Sequence, residues 1–241
     1  MKILPFSLKN MVFDKAKSLQ KDGGELIFLE QFKALRAKFE YQVDIYKYKV
    51  VAVTSAIAEE GKTLTCVNLA ANLASTGRKK VLLIDTDLRK SDLSRCLNIP
   101  AKPGLSDFLN GSVSLDNIIY TYNSVGGLHV IPGGERNNTP SDLLAGETFR
   151  VFLQKMRDRF DLVLLDTPPL IPVADTMSLR DQIDSYILIF RIGFTPHVML
   201  RQILEDIEKS KIMGVVLNGV ELQKSKYYQK YYGKYYHKNT E

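Results

Sequence analysis

Short, continuous apolar runs that alternate with segments of helical spacing constrain this chain most strongly. The runs VVAVT, VLLI, LVLL and VVL are rich in valine and leucine and lack polar alternation. Such runs are typical of strands that are buried on both faces. Strands that alternate with helices form a mostly parallel sheet with helices on both faces, and such α/β folds bind ligands beyond the carboxyl ends of their strands.

The spacing and the turn residues give approximate bounds for these elements. Helical spacing predicts helices over residues 24–41, 62–77, 147–160 and 195–210. Apolar runs predict strands within residues 47–55, 79–85, 127–134, 161–169, 184–192 and 211–220. The residues just after the first, second, fourth and sixth of these strands are therefore the places to look for a site.

The segment SAIAEEGKTLT follows the first of these strands and opens a helix, as a phosphate-binding P-loop does. Backbone N–H groups there can point at a β-phosphate, Lys62 can reach the β- and γ-phosphates, and the Thr63 hydroxyl can hold Mg²⁺. Ala56 replaces the usual first glycine, and an ordinary strand-to-helix turn is the competing interpretation. We predict a P-loop NTPase-type sheet. The predicted nucleotide-binding residues of the loop are Glu59, Glu60, Gly61, Lys62, Thr63 and Leu64.

Aspartates follow two further buried strands. Asp85 and Asp87 end the run VLLIDTD, and Asp166 ends the run LVLLD. Residues two apart in an extended chain point to the same side, so Asp85 and Asp87 can both face a bound nucleotide. Together with Thr63, these carboxylates are suitable Mg²⁺ ligands, directly or through water. One of them can accept a proton from an attacking hydroxyl. The competing interpretation is that the aspartates cap the helices that follow.

The end of the chain has an unusual composition. Half of the 12 tyrosines lie in the last 18 residues, and from Glu221 to Glu241 five lysines and two glutamates give a net charge of +3. With few aliphatic residues to bury, this tail is predicted to be flexible. A basic tail can meet nucleic acid, an anionic membrane or an acidic partner, or be merely solvated. Its paired tyrosines are Tyr227, Tyr228, Tyr231, Tyr232, Tyr235 and Tyr236.

Composition also indicates the compartment. The two cysteines, Cys66 and Cys96, form no disulfide framework, so a reducing environment is expected. No apolar run reaches the length of a membrane span, and the start MKILPFSLKN has too short an apolar run for a signal peptide. We therefore expect a cytoplasmic protein.

The motifs AIAEEGKT, VLLIDTDLR and LVLLDTPP resemble the Walker A, A′ and B set of bacterial tyrosine kinases (BY-kinases). That family tolerates alanine at the position of Ala56, has an arginine at the position of Arg89, and ends in a tyrosine cluster that is autophosphorylated. The resemblance runs from about Glu30 to the end. It implies an autokinase of capsular and exopolysaccharide export that uses ATP and Mg²⁺.

The resemblance also implies roles for particular residues. Lys62 with Mg²⁺ would hold the phosphates, and Thr63, Asp85 and Asp166 would be the metal ligands. Asp87 or Asp85 would take the tyrosine proton, and the two cannot be separated at this stage. Asn218 stands where family members contact the adenine base, although an asparagine before Gly219 also suits an ordinary turn.

Assembly and partners follow from the same resemblance. The stretch with Glu30, Lys33 and Arg36 matches a helix motif used in ring-like homo-oligomers, with lysine for arginine at its middle position. An ordinary amphipathic surface helix is the alternative. Expected partners are a membrane-spanning polysaccharide co-polymerase activator, fused or separate, that recruits the protein to the inner face of the membrane, and a cognate tyrosine phosphatase. No nucleic-acid partner is expected.

These inferences divide the chain into an N-terminal extension (1–23), a kinase domain (24–220) that opens with an oligomerisation helix (24–41), and a flexible tail (221–241). The alternative function is a switch ATPase similar to ParA and MinD, which would bind membrane or nucleic acid through its basic, aromatic tail. Those ATPases have an extra lysine early in the P-loop, and SAIAEEGKT has none before Lys62. A structural subunit with an inactive site is a third alternative, which the intact lysine and aspartates disfavour.

Overall fold

The computed structural model describes residues 2–3, 24–122, 125–171 and 175–220. For residues 2–3, 24–27 and 177 it describes the backbone alone. The tail over residues 221–241 and residues 4–23 of the N-terminal extension lie outside the described residues.

Eight strands and seven α-helices make up the described chain. The strands are β1 (Lys2–Ile3), β2 (Val50–Ser55), β3 (Val81–Asp85), β4 (Tyr120–Tyr122), β5 (Leu128–Ile131), β6 (Leu162–Asp166), β7 (Ser185–Arg191) and β8 (Ile212–Asn218). The helices are α1 (Gly24–Tyr46), α2 (Lys62–Ala74), α3 (Leu93–Leu97), α4 (Leu105–Leu109), α5 (Pro140–Ala145), α6 (Glu147–Arg159) and α7 (His197–Asp206). Short 3₁₀ turns cover Leu115–Asn117, Met177–Leu179 and Lys209–Lys211.

All eight strands belong to one sheet in the order β1-β4-β5-β3-β6-β2-β7-β8. The pairs from β5 to β8 are parallel, while β4 runs antiparallel to β5 and pairs in parallel with the short β1. This confirms the predicted fold, a mostly parallel α/β sheet. The order places β3, β6 and β2 side by side, so the three predicted motifs meet at one edge of the sheet.

Helices cover both faces of the sheet, as its apolar strands require. Successive side chains of β3 alternate between two cores: Leu82 and Ile84 pack with the face that includes α6, and Leu83 packs with the face that includes α2. Since both faces are buried, the strand needs no polar alternation. No helix among the described residues is long and apolar enough to cross a membrane.

The predicted elements are present with shifted ends. The first helix begins at Gly24 as predicted but continues to Tyr46, beyond the expected end near Tyr41. Two short strands, β1 and β4, and the short helices α3, α4 and α5 were not predicted from the sequence. Elements of two to six residues carry too few periodic positions to be recognised from spacing alone.

Candidate nucleotide-binding site

The predicted P-loop connects β2 to α2 and turns sharply before the helix begins at Lys62. Glu59 and Gly61 have left-handed backbone angles, with φ of 67° and 91°. Backbone N–H groups in such turns can form a concave nest for an anion at a helix N-terminus. A Cβ at Gly61 would lie 2.2 Å from the Nδ2 atom of Asn218, so the position requires glycine for space as well as for its φ angle.

Alanine is compatible with the first position of the loop. Ala56 is fully buried, and its carbonyl oxygen accepts a hydrogen bond from the Ile171 N–H at 3.2 Å. Its φ angle is not positive, so the methyl group causes no backbone strain there. The departure from the usual glycine therefore leaves the shape of the loop intact.

Lys62 is the first residue of α2, and its side chain reaches across to the loop after β3. Its Nζ atom lies 3.8 Å from the Asp87 carboxylate oxygen Oδ2, and both side chains are mostly buried. The Lys62 ammonium and a hydrogen bond from the Lys90 N–H both lower the pKa of Asp87, but burial is the larger effect and leaves that pKa raised. The loop lysine and this carboxylate thus face the same space.

Asp85 and Asp166 stand directly opposite each other at the ends of the adjacent strands β3 and β6. Both are almost completely buried. Asp85 accepts three hydrogen bonds: its Oδ1 accepts the Asp87 N–H, and its Oδ2 accepts the Ser91 hydroxyl at 2.6 Å and the Leu93 N–H at 3.3 Å. Among the described residues, no hydrogen-bond donor reaches Oδ1 of Asp166.

Burial has an electrostatic consequence for this pair. It raises the pKa of Asp85 well above the usual value, and the neighbouring Asp166 charge raises it further. Burial likewise raises the pKa of Asp166 to about 6, against the opposing effects of the Lys62 ammonium and a hydrogen bond from Thr63. Two buried carboxylates side by side are costly to ionise unless a cation is present.

The oxygen atoms at the carboxyl ends of these strands suit Mg²⁺ better than a cation that is bound by protein ligands alone. Within the described ranges, no three His, Cys, Asp or Glu side chains converge as a metal site. Magnesium commonly uses one or two carboxylates and completes its shell with water and substrate phosphates. The unpartnered oxygen of Asp166 and the nearby hydroxyl of Thr63 supply hard oxygen ligands of this kind. The residues present therefore fit Mg²⁺.

Three residues of the site were missed by the sequence analysis. Ser91 donates to Asp85. Asp175 pairs with Arg89, the arginine of the second motif, and the Ser141 hydroxyl donates to Asp175. Each partner is distant from the motifs or belongs to an irregular segment, so spacing gave no signal for it. Asp175 is 1% exposed, and such a buried carboxylate needs partners.

Asn218 lies at the end of β8 and contacts the P-loop. Its Nδ2 donates to the Glu60 carbonyl oxygen at 2.8 Å, and its Oδ1 accepts the Gly219 N–H at 2.8 Å. The asparagine therefore makes the turn contact that the sequence suggested. It also contacts the P-loop, which the sequence did not predict.

The residues of the predicted oligomer motif lie on α1. Lys33 donates to Glu30 at 2.6 Å on the helix surface. The Arg36 Nη1 donates to the Asn72 carbonyl oxygen of α2 at 3.3 Å, and its side chain is only 25% exposed. Arg36 thus contacts its own chain.

The six predicted phosphorylation sites in the tail lie outside the described residues.

Comparisons with known proteins agree with this geometry. A family model described as an AAA domain matches residues 48–213. The tyrosine-protein kinase YwqD of Bacillus subtilis is 32% identical over 83% of this chain and 84% of its own length. The chain belongs to the bacterial tyrosine kinase family. The kinase domain of the Escherichia coli tyrosine kinase ETK, a BY-kinase structure, superposes with a TM-score of 0.76 at 26% identity, over 91% of this chain and 89% of that one.

Some BY-kinase relatives are much longer than this chain. The tyrosine-protein kinase ptk of Acinetobacter johnsonii is 31% identical over 83% of this chain, which spans only 27% of that protein. The septum site-determining family is more distant: the cell division ATPase MinD of Pyrococcus furiosus has a TM-score of 0.58 at 24% identity, over 70% of this chain and 71% of its own. That likeness concerns the fold alone.

Proposed function

We propose that this chain is an ATP-dependent protein-tyrosine kinase and that its substrates include the tyrosines of its own C-terminal tail. The observation that carries the proposal is the meeting of Lys62 with Asp87, 3.8 Å apart, beside the buried pair of Asp85 and Asp166. The family membership supports the same activity, since the curated relatives are named tyrosine-protein kinases.

The reaction needs positioning and charge neutralisation more than covalent chemistry by the protein. The tyrosine oxygen attacks the γ-phosphorus, the bond to the β–γ bridging oxygen breaks, and ADP leaves. N–H groups of the loop and the Lys62 ammonium bind the phosphates. Thr63, Asp85 and Asp166 would hold Mg²⁺, and among the described residues Asp166 keeps an oxygen that no hydrogen-bond donor reaches. The ion would neutralise charge on the phosphates.

The tyrosine proton needs an acceptor, because a free phenol has a pKa near about 10. Asp85 is fully buried and its two oxygens already accept three hydrogen bonds. Asp87 keeps its Oδ2 beside Lys62 and is 7% exposed, so an incoming hydroxyl can reach it more easily. This contrast favours Asp87 as the proton acceptor, with Asp85 as a fixed support.

We further propose that the tail is phosphorylated between subunits of a homo-oligomer. Glu30, Lys33 and Arg36 on α1 are the proposed contact residues, although Arg36 also contacts α2 of its own chain. A membrane-spanning co-polymerase activator would bring the kinase to the inner face of the membrane for capsule or exopolysaccharide export, and a tyrosine phosphatase would reverse the modification. The resemblance to BY-kinases supports these partners.

Incubation of the purified protein with Mg-ATP tests the activity. A kinase accumulates phosphotyrosine, detected by antibody, and loses it in Lys62→Met. ATP hydrolysis without phosphotyrosine indicates a switch ATPase of the MinD type instead. Comparison of Asp87→Asn with Asp85→Asn then separates the two aspartates: loss of phosphoryl transfer with retained Mg-ATP binding is expected for Asp87→Asn.

A further inference from the structure

The ends of two strands, β7 and β8, contact the P-loop from one side, although neither strand carries one of the three nucleotide-binding motifs. The Arg191 Nη1 at the end of β7 donates to the Glu59 carbonyl oxygen at 3.3 Å. The Asn218 Nδ2 at the end of β8 donates to the Glu60 carbonyl oxygen at 2.8 Å. A third contact comes from Thr195, in the turn between β7 and α7, whose hydroxyl donates to the Glu60 carboxylate.

The side chain of Glu60 is the centre of these contacts. It is 0% exposed, although it belongs to a loop that should bind negatively charged phosphate. Its Oε2 accepts the Ile57 N–H at 2.8 Å, and its Oε1 accepts the Thr195 hydroxyl. Within the part of the chain that the structure describes, no lysine, arginine or histidine nitrogen lies within ion-pair distance of this carboxylate. Hydrogen bonds therefore carry its stabilisation.

The loop needs such support because its backbone is strained. Glu59, which is not a glycine, has a φ angle of 67°, and Gly61 has one of 91°. Non-glycine residues persist in that region only where the surroundings over-determine the conformation. The Glu60 carboxylate closes the loop by binding the Ile57 N–H three residues earlier, so one buried side chain holds the turn in which backbone N–H groups can face an anion.

We infer that Thr195 is a positioning residue for nucleotide phosphate, because its hydroxyl fixes the buried Glu60 carboxylate and thereby holds the P-loop in its anion-binding turns. The hydroxyl is itself oriented, since its oxygen accepts the Arg191 N–H at 3.1 Å while its proton goes to Glu60. Thr195 acts on the loop through Glu60, so its role is one of positioning. The inference rests on the proposed function in that it assigns the loop to nucleotide phosphate.

A matched set of substitutions tests this role. Thr195→Val keeps the shape of the side chain and removes the hydroxyl, while Thr195→Ser keeps the hydroxyl. Thr76→Val is the control, because among the described residues the Thr76 hydroxyl contacts only backbone groups at and just after the end of α2: it donates to the Leu73 carbonyl oxygen and accepts the Arg78 N–H. Dissociation constants for Mg-ADP are measured by calorimetry and those for AMP by competition, each beside the thermal midpoint.

We expect Thr195→Val to weaken Mg-ADP binding by about tenfold, the size of one lost hydrogen bond to a charged group. AMP binding should change much less, because AMP lacks the β-phosphate that the loop grips. Thr195→Ser and Thr76→Val should bind Mg-ADP like the wild type. Should Thr195→Val fail to fold, Thr195→Ala serves instead, since it also removes the hydroxyl, and the same selective loss is expected.

The outcomes distinguish this inference from the proposed function. Equal Mg-ADP affinity in the wild type and Thr195→Val, or an equal loss for ADP and AMP, overturns the positioning role alone. Normal Mg-ADP binding without any phosphotyrosine contradicts the kinase and leaves the positioning role standing. A wild type that binds no Mg-ADP contradicts both.

Discussion

The guanidinium of Arg89 forks onto the carboxylate of Asp175, with Nε–Oδ2 and Nη2–Oδ1 distances of 2.7 and 3.2 Å. The Ser141 hydroxyl donates to the same carboxylate. This arrangement ties the loop after β3, which carries Asp87, to the segment that follows β6. Although burial opposes ionisation of Asp175, the hydrogen bonds from Arg89 and Ser141 lower its pKa overall. One ion pair thus joins the second motif to the segment that follows the third.

Breaking this pair should destabilise the protein by an amount that depends on the residue that replaces Arg89. Arg89→Ala leaves a buried carboxylate without its cation and should cost about 3 kcal/mol. Arg89→Lys keeps the charge but loses the two-pronged geometry, so about 1 kcal/mol is expected. Urea unfolding measures both, with Arg150→Lys, in an exposed pair with Glu147, as the control. Costs below about 0.5 kcal/mol for both Arg89 variants would show that the pair is unimportant.

The pKa of Asp166 predicts how stability changes with pH in the absence of Mg²⁺. The pKa of Asp166 is about 6 in the folded protein, against an ordinary value of 3.8. The folded protein is therefore more stable at low pH, where Asp166 is neutral, and this extra stability is lost as pH rises through 6. Asp166→Asn cannot ionise. It should therefore gain about 2 kcal/mol relative to the wild type between about pH 4.5 and about pH 8.

Thermal or urea unfolding at the two pH values measures this difference. Asp158→Asn, which removes an exposed carboxylate of α6, is the control and should show no such trend. A difference between Asp166→Asn and the wild type that does not change with pH would contradict the raised pKa of Asp166.

The sequence predicted the parts of this site that depend on local pattern. The P-loop, the strand-end aspartates and the parallel sheet follow from runs of a few residues and their order. Contacts between distant segments could not be predicted in this way: Arg89 and Asp175 are far apart in the chain, and nothing near Asp175 marks it as buried. The inward direction of the Glu60 side chain was equally hidden, because a glutamate in a polar loop is usually solvated.

Gly61 should tolerate no side chain while Asn218 is present. In Gly61→Ala the new Cβ would meet Asn218 Nδ2 at 2.2 Å, and the φ angle of 91° adds backbone strain. We expect a loss of about 3 kcal/mol in stability, of which about 1–2 kcal/mol is strain. Gly61→Ala combined with Asn218→Ala should recover the steric part only. Purely additive losses in the double variant, measured by urea unfolding, would mean that the close contact is not the cause.

Tail phosphorylation should loosen the assembly. Each phosphate adds about −1.5 to −2 charges, so six of them change a tail of net charge +3 to one of about −6 to −9. Several such tails in one oligomer would repel each other. Mg-ATP should therefore shift the wild type towards monomer in analytical ultracentrifugation, whereas a protein with all six tail tyrosines changed to phenylalanine stays assembled. Equal sizes before and after phosphorylation would rule this out.

Site-resolved mass spectrometry after incubation with Mg-ATP distinguishes a tyrosine autokinase from a switch ATPase. We expect phosphate on tyrosines between Tyr227 and Tyr236 in the wild type and none in Lys62→Met, because the loop lysine is needed to bind the transferred phosphate. Phosphate at those tyrosines in both proteins would point to a contaminating kinase. ATP turnover in the wild type without phosphotyrosine anywhere in the chain would contradict the assignment as a tyrosine kinase.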